Sequence, residues 1–247
     1  MTSLTGSNLW VTLVLETGRF LLRRHIPLFV VMAMSAILGA TLLFAGIEYG
    51  ESIVLGMAFY APFIAGLVIM SGLVSDERAS GFFLLWVQKP AWLSRSYAIR
   101  YALYLLLLAL VAATLGSAIG ALGVAGNLFT ITKAFRLGAG MIPLALLPAA
   151  MVFAFSAWGV RRDAVFAFLT VVIGVSLAGI TSFERSEASG LIQFLAFPLD
   201  PVMAIIGARS FPLDLTRAIA IICAQLAGWS LIGFLGLGFS ERLLQRS

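Results

Sequence analysis

Six apolar runs, each long enough or nearly long enough to cross a lipid bilayer, leave this chain of 247 residues little choice of environment. They fall at about 26–46, 53–74, 98–123, 137–159, 164–182 and 217–239. A hydrocarbon core about 30 Å thick takes roughly 20 residues of helix. Lipid offers no partner to a backbone N–H or C=O, so such runs are expected as helices. Composition agrees: 61% of residues are hydrophobic, 11% are charged, and the mean hydropathy is +1.06, far outside the range of soluble domains. The expected fold is all-α, a single polytopic membrane domain over residues 1–247 with six transmembrane helices.

Residues 1–25 lack the positive start of a signal peptide, because their arginines follow the apolar part. At helical period, Trp10, Leu13, Val14 and Leu21 fall on one face and Thr12, Glu16, Arg19 and Arg23 on the other. An amphipathic helix lying in the membrane interface is expected, with Arg19, Arg23 and Arg24 toward anionic headgroups. His25, the only histidine, belongs to the same interface rather than to a ligand set.

Basic residues set the orientation. Eleven of the 16 fall on the side that holds both termini, and Lys133, Arg136, Arg185, Arg209 and Arg217 fall on the other. The richer side is expected to be cytoplasmic. With acids included the inner side carries +6 and the outer side −1, which together make the net charge of +5. The positive charge therefore reflects membrane topology and implies no nucleic-acid partner.

The longest cytoplasmic break, Val74 to Arg95, reads VSDERASGFFLLWVQKPAWLSR. Ser75 and Asp76 are expected to cap a short helix, with Glu77 at the positive end of its dipole. Phe82, Phe83, Leu85 and Trp86 give it an apolar flank, and Pro90 is expected to end it. Trp92 and Tyr97 suit the water–lipid boundary where the chain turns back in. On the outer side, residues 183–216 are apolar but interrupted by Pro198, Pro201 and Pro212. Such a segment dips in and returns only if its backbone is buried against protein.

The loop resembles the first cytoplasmic loop of ABC-2-type transporter permeases. The resemblance lies in Glu77, Arg78, Gly81 four positions after the acid, the run Phe82 to Val87, Pro90 nine positions after the glycine, and then Ser94 and Arg95. Phe82 and Leu84 stand where that family usually has a small residue and an acid. The resemblance implies a membrane-spanning subunit of an exporter in the bacterial cytoplasmic (inner) membrane. It implies two such chains pairing as a homodimer with separate ABC ATPase subunits. It further implies a coupling helix within 75–97, contacting the ATPase through Glu77, Arg78, Gly81, Phe82, Phe83, Trp86 and Pro90. Outer re-entrant half-helices would roof the pathway, with Glu184, Glu187, Pro198, Asp200 and Pro201 near that roof.

The remaining features narrow the function class. There is no G-x-x-x-x-G-K-[ST] phosphate loop, and neither lysine, Lys89 or Lys133, lies in a glycine-rich turn. ATP hydrolysis is therefore expected from a partner and not from this chain. A single cysteine, Cys223, excludes an internal disulfide, and no metal or cofactor is implied. The spans hold no paired carboxylates or Ser/His/Asp set, which disfavours an intramembrane enzyme. Gly116, Gly120 and Gly123 are expected to let one span pack closely, and Pro143 and Pro148 to kink another. The alternative to an exporter subunit is a structural or assembly subunit of an inner-membrane complex.

Overall fold

The structure is a computed structural model that describes residues 15, 50–79, 90–126, 130–181, 201–202, 205 and 215–244. Among these the elements are α1 (Gly50–Met70), α2 (Ser75–Ala79), α3 (Pro90–Ala125), α4 (Ile131–Ala157), α5 (Asp163–Thr181) and α6 (Leu215–Leu244). Three stretches are long and apolar enough to cross a membrane: Ser96–Ala125, Ile131–Ala157 and Leu215–Ser240. They give the chain a membrane-embedded, multi-pass character. Of the expected interfacial helix with Arg19, Arg23 and Arg24 only Leu15, helical and exposed, is described, and the expected span 26–46 lies outside the described residues.

The helices start and stop for local reasons. Gly72 has a φ of 78°, a left-handed conformation that ends α1 before the apolar pattern does, because Leu73 and Val74 continue it only as buried turn residues. Pro90 is the first residue of α3, a position where its missing N–H costs nothing; the helix it was expected to end falls on residues outside those described. At 36 residues, α3 is about 54 Å long, so it outreaches a hydrocarbon core of about 30 Å. Thr130 caps α4 by accepting a hydrogen bond from the Lys133 N–H, so this helix begins six residues before the expected 137. Pro143 and Pro148 both lie inside the continuous helix α4.

Helix α4 is the centre of the bundle. In its most apolar stretch 78% of residues are buried, against 28% in α3 and 22% in α6. From Leu147 to Ala154 every residue is buried, so α4 is wrapped on all sides. It packs against α1, α3, α5 and α6. Tyr101 of α3 stacks on Phe153 of α4 with ring centroids 4.2 Å apart, and Phe234 of α6 meets Phe153 edge-on at 5.1 Å. Leu106 and Leu110 of α3, Ile173 of α5 and Leu231 and Leu235 of α6 are exposed, as apolar side chains facing lipid would be.

Close approach between α3 and α4 follows the small residues read from the sequence. A Cβ added at Gly116 would lie 2.5 Å from the Gly138 Cα, a backbone atom that cannot give way. Gly228 of α6, by contrast, has open space around it. Gly116→Ala is therefore expected to lower bundle stability by about 1–3 kcal/mol. Gly228→Ala should leave it unchanged or raise it by about 0.5–1 kcal/mol. Unfolding midpoints of the two variants in detergent measure the contrast, and equal midpoints would contradict the packing.

Candidate functional site

One end of the bundle gathers most of the charged side chains among the described residues. It comprises the end of α1 with α2, the start of α3, the α4–α5 turn and the last turns of α6. Buried polar groups at such a rim cost free energy unless they are hydrogen-bonded, and here they bond to one another across the helices.

Two acceptors hold the turn between α1 and α2. The Ser156 hydroxyl of α4, fully buried, accepts from the Val74 and Ser75 N–H groups at 3.1 and 2.9 Å. The Asp163 carboxylate at the start of α5, 2% exposed, accepts from the Ser71 hydroxyl, the Gly72 N–H and the Ser75 hydroxyl at 3.0–3.1 Å. Its Oδ1 also accepts from the Ala164 N–H at 2.7 Å. A carboxylate at a helix N-terminus is favoured by the helix dipole as well. Ser75, expected as a cap, is thus the first residue of α2 with its hydroxyl turned to Asp163.

Arg78 serves the opposite helix end. Its Nη2 donates to the Ala157 carbonyl at 2.6 Å and to the Ser240 hydroxyl at 2.7 Å, tying α2 to the C-terminal turns of α4 and α6. Burial lowers the pKa of this guanidinium from its ordinary value, an effect partly offset by Tyr97. Gly159, just past α4, has a φ of 84°, and a Cβ there would come within 2.9 Å of the Arg78 Nη1. The Trp158 indole N–H donates to the Ile232 carbonyl at 3.1 Å, so the α4–α5 turn is fixed to α6 as well.

Glu77 completes the rim by accepting from the Tyr97 hydroxyl and pairing with Arg100, both on α3. Tyr97, expected at the water–lipid boundary, is 1% exposed. Of the residues expected to contact an ATPase, Glu77 and Arg78 are therefore engaged within the chain, and Pro90 opens α3. Gly81, Phe82, Phe83 and Trp86 lie outside the described residues, as do Glu184, Glu187, Pro198 and Asp200. Pro201 is helical and buried, beside the buried Val202.

Sequence reasoning missed Ser156, Asp163, Tyr97, Arg100 and Ser240 as members of one network. Only Asp163 carried a local signal, an acid at a helix start. Comparison with protein-family models, curated proteins and solved structures finds no match to the chain. Among the described residues, no group of three or more His, Cys, Asp or Glu side chains that could hold a metal occurs.

The Glu77–Tyr97 bond joins a carboxylate to a buried hydroxyl, the stronger class of hydrogen bond. A double-mutant cycle of Glu77→Gln and Tyr97→Phe should give a coupling free energy of about 1.5–3 kcal/mol in bundle stability. Strictly additive losses would mean that the two side chains do not act together.

Proposed function

We propose that the chain is the membrane-spanning permease subunit of an ATP-driven exporter, working as a pair of such chains with a separate ATPase. On this reading α1 and α5 also cross the membrane, and with the run at 26–46 they complete six spans. The rim that holds Arg78, Arg161 and Arg162 faces the cytoplasm, as do both termini. What supports the reading most is the anchoring of α2 and α3, the two elements that flank residues 80–89. Through Glu77, Arg78, Ser71 and Ser75 the α1–α2 segment is bonded to α3, α4, α5 and α6. A short loop attached in this way is a lever: what moves the loop moves the whole inner end of the bundle.

The division of labour within the loop follows from this. Glu77 and Arg78 transmit, while the apolar residues Phe82, Phe83 and Trp86 make the outward contact with the ATPase. The exporter's cargo is amphipathic or lipid-like, in keeping with spans whose polar groups are mostly hydroxyls.

Gentle purification of the full chain should bring with it a nucleotide-hydrolysing subunit. Phe83→Asp should reduce that copurification at least about tenfold, the loss expected when an apolar anchor in an interface is replaced by a charge. The unfolding midpoint of the chain should stay unchanged. Absence of any such companion, or unchanged capture by the variant, would overturn the reading.

A further inference from the structure

The rim does more than satisfy buried polar groups. Three donors from one turn, the N–H groups of Gly72, Val74 and Ser75, reach two acceptors that belong to different helices, Ser156 on α4 and Asp163 on α5. The hydroxyls of Ser71 and Ser75 add two further bonds to Asp163. Ser156, Asp163 and Ser75 are buried. To slide the α1–α2 turn against the α4–α5 turn, all five bonds must break together and leave buried groups unpaired, which a low-dielectric site strongly opposes.

The covalent connection back to α1 is of a different kind. It runs through Gly72 in a left-handed conformation, where the N–H groups of Gly72, Val74 and Ser75 go to side chains instead of the carbonyls of α1. The α1–α2 turn thus makes five bonds to helices over 80 residues away in sequence, while the Leu73 N–H bonds the Met70 carbonyl at the end of α1.

We propose that the α1–α2 turn and the α4–α5 turn move as one rigid unit. Ser156 and Asp163 are the positioning residues that deliver any displacement of residues 80–89 to α4 and α5. The delivery of displacement rests on the exporter reading; the rigid unit does not. The central helix is then driven from its C-terminal end, with Gly72 as the joint that lets α1 follow at its own angle.

Amide hydrogen exchange on the full chain in lipid nanodiscs tests the rigid unit by perturbing one turn and reading the other. Ser71→Ala combined with Ser75→Ala leaves the α4–α5 sequence untouched. It should nonetheless speed exchange at residues 158–164 at least about fivefold, with residues 102–112 of α3 unchanged. In the reverse direction, Ser156→Ala removes one buried oxygen and should speed exchange at Val74 and Ser75 by a similar factor, which keeps the test open if the double variant does not fold. Wild-type exchange at the opposite turn overturns the rigid unit. None of these readings needs a partner, so failure to find an ATPase overturns the exporter reading alone.

Discussion

Everything at the charged rim depends on a buried carboxylate that is never left alone. Asp163 sits 2% exposed at the head of α5, where an unpaired charge would be prohibitively costly. Ser71, Gly72 and Ser75 supply its donors, and the dipole of its own helix supplies a favourable field. These donors are in place only when the chain breaks helix at Gly72, and that break sets where α2 begins. Arg78 then falls where it can reach the C-terminal ends of α4 and α6. One anion and one cation, each at the helix end that suits its sign, fix four helices at a single level.

Above that level the bundle is ordinary in its physics. Small residues bring α3 and α4 together, an aromatic trio locks α3, α4 and α6, and apolar side chains left outside meet lipid. Because lipid tails solvate apolar surface well, close packing and a few polar ties must supply what the hydrophobic effect supplies in water. The Tyr101–Ser230 contact at 2.6 Å is such a tie between α3 and α6.

Apolar length made the helices legible in the sequence, and charge blurred their ends. Helix α5, expected at 164–182, runs from Asp163 to Thr181. Helix α4 starts earlier than expected because Lys133 and Arg136 look like loop residues, although Thr130 marks the true cap. The rim was legible only in pieces. Glu77 and Arg78 stood out as a charged pair, but nothing local reveals that their partners are Tyr97, Arg100, Ala157 and Ser240. Ser156 looks like one more small residue in an apolar run, and its two donors lie more than 80 residues away. Such contacts are set by tertiary packing, which local pattern does not encode.

If the chain exports a cargo as proposed, the solid build of α4 constrains the route. Eight consecutive residues closed off on every side leave that part of α4 no free face of its own. On the proposed pairing, a conduit drilled through one chain would have to dismantle its own keystone at each cycle, whereas a seam between two copies would ask of that keystone only that it stay whole.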